Sequence, residues 1–167
     1  MTYSLGLDGG GTKTECVVLD ANGQVAGQGV AGPSNPLRVG FAAAAGALTL
    51  AARAALTSAG AQMTQVTAVC AGLAGAGRPS VANRVLAFLA AEFPQAFVHA
   101  TTDLEIALEA AVGGGPGVVL IAGTGSSAYG RNAEGNTARA GGCGPWLGDE
   151  PWLPQPSRGT RASPQRG

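Results

Sequence analysis

Gly9, Gly10, Gly11 and Thr12 follow a short apolar run and precede Lys13, the only lysine in the chain. A turn with so few Cβ atoms can aim several backbone N–H groups into one concavity, the geometry that holds phosphate oxygens. Thr12 adds a hydroxyl donor, and a Lys13 cation could lie against phosphate or stay solvated. An ordinary Gly-rich hairpin gives the same pattern. The string is neither a Walker loop nor a dinucleotide fingerprint, because the required Gly and Lys spacings are absent. A twin, Gly123-Thr124-Gly125-Ser126, recurs later in the chain. Two related turns suit a polyphosphate gripped from two sides.

Several carboxylates and one amide accompany these turns. Asp8 ends the run before the first turn, where it could hold a hydrated Mg²⁺ that bridges phosphates or serve as a turn former. Asp103 stands where a predicted helix begins just after a predicted strand, the crevice position of α/β ligand sites. A helix N-terminus favours negative charge, so Asp103 would either cap the helix or accept a hydroxyl proton there. Asn35, between Pro33 and Pro36 in a stiff loop, offers an amide to sugar hydroxyls or to its own turn. Asp149, in GDE, could accept two adjacent hydroxyls or be a loop acid. His99 reads as a partly buried strand residue. Glu105 and Glu109, one helical turn apart, read as a solvated face. No Cys and His spacing resembles a zinc site.

The elements that position these groups follow from periodicity. Tyr3 to Leu7 and Thr14 to Leu19 read as strands of a hairpin around Asp8 to Lys13. Asn22-Gly23 supplies the positive φ positions of a second tight turn into Gln24 to Val30. The GPSNP loop, Gly32 to Pro36, ends this meander. Phe41, Ala44, Ala45, Leu48, Ala52, Ala55 and Leu56 recur at helical spacing up to Gly60. A strand over Val66 to Cys70, a helix over Val81 to Ala91, a strand over Phe97 to Ala100 and a helix over Asp103 to Val112 follow. Thr101 or Thr102 can cap the last helix, and GGGPG closes it. The expected order is β-β-β-α-β-α-β-α.

Composition narrows the classes. The chain has 167 residues, of which 46% are hydrophobic and 12% charged, with 28 Gly. This is a compact domain, not a disordered one. Ten basic residues balance ten acidic ones, so the totals give no footprint for nucleic acid or an anionic membrane. Small molecules or other proteins are the expected partners. Cys16, Cys70 and Cys143 form no C-x-x-C pair, and their odd number fits a reducing cytoplasm. No signal peptide is read at the start. The Ala-rich segment Phe41 to Ala59 reads as a soluble helix because Arg53, Gly46, Thr49 and Thr57 interrupt it.

Val118 to Gly135 repeats the grammar of Tyr3 to Gly23: apolar strand, Gly/Ser/Thr turn, second strand, Gly hairpin turn. A first domain over 1–116 and the opening of a second over 117–150 are therefore expected. After two hairpin strands the second runs into GGCGPWLGDE. Residues 151–167 carry four prolines, three arginines and no acid, and are expected to form a flexible tail.

The strings LDGGGTKTECVVLD, GPSNP, GLAGAGRP, TTD, VVLIAGTGSSAYG and GGCGPWLGDE resemble, in that order, the BadF/BadG/BcrA/BcrD ATPase family. The family includes the N-acetylglucosamine kinases, and its superfamily of sugar kinases, actin and heat-shock chaperones encloses ATP between two ribonuclease-H-like lobes. The resemblance implies an α/β, ribonuclease-H-like lobe followed by the first hairpin of a second, truncated lobe. It implies ATP and Mg²⁺ as cofactors, with Asp8 on the magnesium and the Gly9–Lys13 and Gly123–Gly125 turns on the phosphates. Asp103 becomes the catalytic base. Asn35, Ser126, Ser127, Gly142, Cys143, Gly144 and Asp149 become sugar contacts, although the kinase pattern usually carries an aromatic where Cys143 stands.

The leading expectation is an ATP-dependent kinase of N-acetylglucosamine or a similar amino sugar. An ATPase that activates a radical dehydratase or reductase is the alternative, and a truncated product without catalysis is the third. In the family, GDE is followed by GSG and a helix, whereas Pro151 onward departs in the manner a frameshift would produce. The expectation is thus little activity from this chain alone and self-association through apolar surface left open.

Overall fold

The computed structural model describes residues 1–122 and 126–141. Gly123, Thr124, Gly125, Gly142, Cys143, Gly144, Asp149 and the Pro/Arg-rich ending lie outside the described residues. β1 (Tyr3–Gly9) alternates buried and open side chains, the period-2 signature of a strand with one face on a core. It pairs antiparallel with β2 (Thr14–Leu19), which pairs antiparallel with β3 (Val25–Ala31). On its other side β1 pairs parallel with β4 (Val66–Leu73), and β4 pairs parallel with β5 (Phe97–Thr101). The resulting five-stranded sheet has the order β3-β2-β1-β4-β5.

A parallel pair needs a long crossover, here supplied by helices. α1 (Pro36–Val39) and α2 (Phe41–Ser58) link β3 to β4, α3 (Pro79–Glu92) links β4 to β5, and α4 (Asp103–Val112) follows β5. Leu5, Leu7, Cys16, Val18, Val69, Ala71 and Leu73 of the sheet share one core with Leu48, Ala51, Ala55 and Leu56 of α2 and Val85 and Leu89 of α3. α2 sits directly on β3. A Cβ at Gly29 would strike Ala51 O and Ala55 N, and one at Gly27 would lie 2.6 Å from Ala59 N. Small residues on both elements therefore set the spacing. α2 is long and apolar enough to cross a membrane by length and composition, but eight of its residues are buried in this protein. α4 lies on the opposite face, where its Ile106 fills the space above Gly72.

A second, three-stranded antiparallel sheet, β6-β7-β8, comprises Gly117–Ala122, Ser126–Arg131 and Thr137–Gly141. β8 departs from the expectation of two strands before GGCGPWLGDE. Thr137–Gly141 alternates nothing larger than alanine with its other residues and is exposed throughout, so its ladder with β7 defines it. Two other expectations need correction. β4 runs on to Leu73 because Ala71 to Leu73 pair with Leu7 to Gly9. The turn after β2 is not an Asn-Gly pair with two positive φ values, since only Gly23 has one. Instead Asp20 organises it: Oδ1 accepts from Asn22 N and Gln24 N at 2.8 and 2.9 Å. Asn132, Gly135 and Asn136 repeat that arrangement between β7 and β8.

Candidate active site

The C-terminal ends of parallel strands β1, β4 and β5 lie side by side, so whatever follows each strand meets at one edge of the sheet. This is where ligands bind in open α/β folds. After β1 comes the turn Gly10–Lys13. Its Gly10 N–H donates to Lys13 O at 2.9 Å, so that amide is consumed inside the turn. Gly9 belongs to the ladder, opposite Thr14. The expected four-residue nest thus narrows: Gly11 N–H and Thr12 N–H, which have no acceptor among the described residues, remain as donors together with the hydroxyl of the exposed Thr12.

The turn is clamped from outside. Gly10 O accepts Ser34 N at 3.0 Å and Asn35 N at 3.2 Å. Thr14 Oγ1 donates to Gly32 O at 2.7 Å and lies 2.8 Å from Ser34 Oγ. Both Thr14 and Ser34 are wholly buried, so this polar pair is satisfied internally and fixes the GPSNP loop to the turn. Sequence reasoning passed over Thr14 and Ser34. The only signal available was a hydroxyl residue inside each quoted motif.

Asn35 caps α1: its Oδ1 accepts Leu37 N at 3.0 Å. Its carbonyl is therefore largely occupied, and the Nδ2 donor is the group left for a ligand. A Cβ at Gly75, in the loop after β4, would lie 2.6 Å from Asn35 Oδ1. That loop thus closes against Asn35. The next glycine in it, Gly77, has Arg139 Nη1 of β8 2.7 Å from its Cβ position and Thr102 Cγ2 at 3.9 Å.

Asp103 opens α4 directly after β5. Thr102 is the N-cap, with Oγ1 accepting Glu105 N at 3.2 Å, and Asp103 Oδ1 accepts Leu104 N at 3.0 Å. Oδ2 has no donor among the described residues. Asp8, at the end of β1, responds electrostatically to Asp103. Although the residue is exposed overall, partial burial of its carboxyl, then the facing charges of Asp103 and Glu15, raise Asp8 above the usual carboxylate value, against the opposing pull of Lys13. Lys13 Nζ itself pairs with Glu15 Oε1 at 2.9 Å, both exposed. A divalent cation would relieve the repulsion at Asp8. No group of three or more His, Cys, Asp or Glu able to hold a metal occurs among the described residues. The carboxylates therefore fit Mg²⁺ that keeps waters and shares phosphate oxygens, not an all-protein cage.

Ser126 and Ser127 begin β7, opposite Ala122 and Ile121 of β6, and no hydrogen bond or ion pair joins them to the first sheet among the described residues. The second sheet is tied to α4 instead. Tyr129 Oη donates to Glu105 Oε1 at 3.0 Å, Arg131 pairs with Glu109, and Arg131 Nε and Nη2 donate to Gly115 O at 3.1 and 3.0 Å. Glu105 and Glu109 are thus tethers, not merely a solvated face, and the Arg131 bond holds Glu109 below its ordinary value. His99 is exposed, not partly buried. With Thr101, Glu105, Tyr129 and Arg131 it lines a cleft of about 310 Å³. Cys16 is buried against the core, which pushes its thiol up to about 12. Cys70 lies on the opposite face, because it pairs with Gly6 whereas Cys16 pairs with Leu7.

Comparison with known proteins agrees with this architecture. Residues 5–151 match the BadF/BadG/BcrA/BcrD ATPase family. An N-acetylmuramic acid/N-acetylglucosamine kinase of Clostridium acetobutylicum is 33% identical over 150 residues, 90% of this chain and 49% of the relative. An N-acetyl-D-glucosamine kinase of Dictyostelium discoideum is 32% identical over 154 residues, 87% of this chain and 48% of the relative. The crystal structure of a candidate N-acetylglucosamine kinase from Chromobacterium violaceum superposes with a TM-score of 0.72 at 29% identity, covering 90% of this chain and 52% of that one. The chain spans about half the length of the relatives it matches.

Proposed function

Because the chain belongs to the BadF/BadG/BcrA/BcrD ATPase family, we propose that it serves ATP-dependent phosphorylation of N-acetylglucosamine or a similar amino sugar. The observation that most supports this reading is the meeting of Asp8, Asp103 and the open Gly11 and Thr12 amides at one edge of the sheet. Oδ2 of Asp103 accepts the acceptor hydroxyl's proton late, as that oxygen bonds the γ-phosphorus and the bond to the ADP oxygen breaks. A loose transition state asks little more of a weak base. Gly11 and Thr12 orient phosphate oxygens, joined by Thr124 with Gly123 and Gly125 from the second turn. Asn35 Nδ2 donates to a sugar hydroxyl, and Ser126, Ser127, Gly142, Cys143, Gly144 and Asp149 complete the sugar's surroundings. Mg²⁺ held near Asp8 would neutralise phosphate charge. The cytoplasm is the compartment this chemistry implies. No observation among the described residues favours the activator reading.

The test is Asp103→Asn, assayed for phosphoryl transfer from ATP to N-acetylglucosamine and for ATP binding. Turnover, expected to be small for this chain alone, should fall by a further factor of roughly 10²–10⁴ with ATP affinity kept. Turnover equal to the unsubstituted protein would contradict the role of Asp103.

A further inference from the structure

The phosphate turn has a cation that its own sequence does not reveal. Arg38 lies in the last turn of the four-residue helix α1, outside every motif singled out above. A Cβ at Gly11 would lie 3.2 Å from Arg38 Nη1 and 3.8 Å from Cδ, so the guanidinium stands over the turn. Lys13, the cation inside the turn, is engaged by Glu15 at 2.9 Å. Arg38 has no carboxylate partner among the described residues. The Gly11 and Thr12 N–H groups of the same turn have no acceptor among the described residues.

The placement is built, not incidental. Asn35 starts α1, and its backbone N–H and that of Ser34 both bond Gly10 O. The Asn35 side chain caps the helix, and Arg38 N–H closes onto Asn35 O at 3.0 Å. Arg38 is thus carried on a single short helix whose N-cap residue is anchored to the turn itself. Two amides without an acceptor, the hydroxyl of the exposed Thr12 and a planar five-donor cation at one turn suit a multiply charged oxyanion. The absence of a side chain at Gly11 leaves room for this approach, which a Cβ would crowd at 3.2 Å.

We propose that Arg38 is a phosphate-binding residue, donating to a non-bridging oxygen of the triphosphate seated on Gly11 and Thr12. The proposal rests on the reading that this turn takes phosphate, and the two can fail separately. The experiment follows the backbone amides of Gly11 and Thr12 and the Arg38 Nε–H by ¹H–¹⁵N NMR. The full chain is titrated with inorganic triphosphate and with Mg²⁺-ATP, and adenosine serves as the uncharged comparison. All three signals are expected to move with triphosphate and with ATP, and to stay still with adenosine. Arg38→Gln should weaken triphosphate binding roughly tenfold or more, and Arg38→Lys should restore part of the loss because it keeps the charge without the fork. Resonances remote from the turn report that both variants stay folded. If the Gly11 and Thr12 amides respond while Arg38 Nε–H does not, or Arg38→Gln binds triphosphate like the parent, Arg38 is not a phosphate ligand. If neither amide responds, the phosphate reading of the turn falls, and this proposal with it.

Discussion

At the scale of single residues, the site combines groups whose folding role and chemical role can be separated. Asn35 caps α1 through Oδ1 and leaves Nδ2 for a ligand. Asparagine and aspartate cap equally well. Asn35→Asp should therefore melt within a few degrees of the parent while sugar affinity, read by titration calorimetry, drops roughly tenfold. Equal sugar affinity would remove Asn35 from the sugar site. Asp8 shows the opposite relation. Its surroundings disfavour the carboxylate, so Asp8→Asn should raise the melting temperature at neutral pH and weaken Mg²⁺-dependent ATP binding. A lower melting temperature would mean that the ionised form is supported in the fold. The places of Asp8, Asp103 and the glycine turn in the fold were legible because strand ends, helix starts and Gly runs are local patterns. The contacts of Arg38, Thr14 and Ser34 were not, since they exist only once the 32–38 segment folds back onto the β1–β2 turn.

At the scale of elements, glycines with different duties should respond differently to the same change. Gly23 has φ +74° with open space around it, so Gly23→Ala meets only backbone strain and should cost about 1 kcal/mol in denaturant melts. Gly29 faces the backbone of α2, and Gly29→Ala should cost about 3 kcal/mol, because β3 or α2 must move. Similar costs for the two would refute the close approach of α2 to β3. The Asp20 turn gives a pH dependence. Backbone N–H donors from Gln24 and Asn22 lower Asp20 in the folded state, so its contribution is present above the unfolded value of 3.8 and is lost as pH falls through the lower folded value. Asp20→Asn should remove that acid dependence and still form the turn, as Asn132 does in the second sheet. Periodicity was enough to read the helices and the first meander. It missed α1, too short for any period, and β8, whose Thr-Ala-Arg-Ala-Gly string becomes a strand only by pairing with β7.

At the scale of the molecule, one unit is written twice: a three-stranded antiparallel meander with a Gly-rich sequence between its first two strands and an Asx-organised turn between its second and third. The first is completed by β4, β5 and the helices that supply the core. The second is tied to the first through Tyr129 and Arg131 of β7, which meet Glu105 and Glu109 of α4, the helix that begins with Asp103. Movement of the second sheet would therefore be felt by the element bearing the proposed base. The repeat was visible in the sequence because turn residues at fixed offsets survive where the strands between them differ. The tethers were not, because nothing in the spacing of Glu105 and Glu109 says what they meet.

The central claim is that the Gly10–Lys13 turn and the 123–125 turn grasp the same polyphosphate. Titrating the chain with Mg²⁺-ATP and following the amides of both turns in one ¹H–¹⁵N NMR series tests it most directly. The account predicts that Gly11, Thr12, Thr124 and Gly125 shift together along one binding isotherm. Saturation of one turn while the other stays unmoved, or two separate dissociation constants, would contradict it.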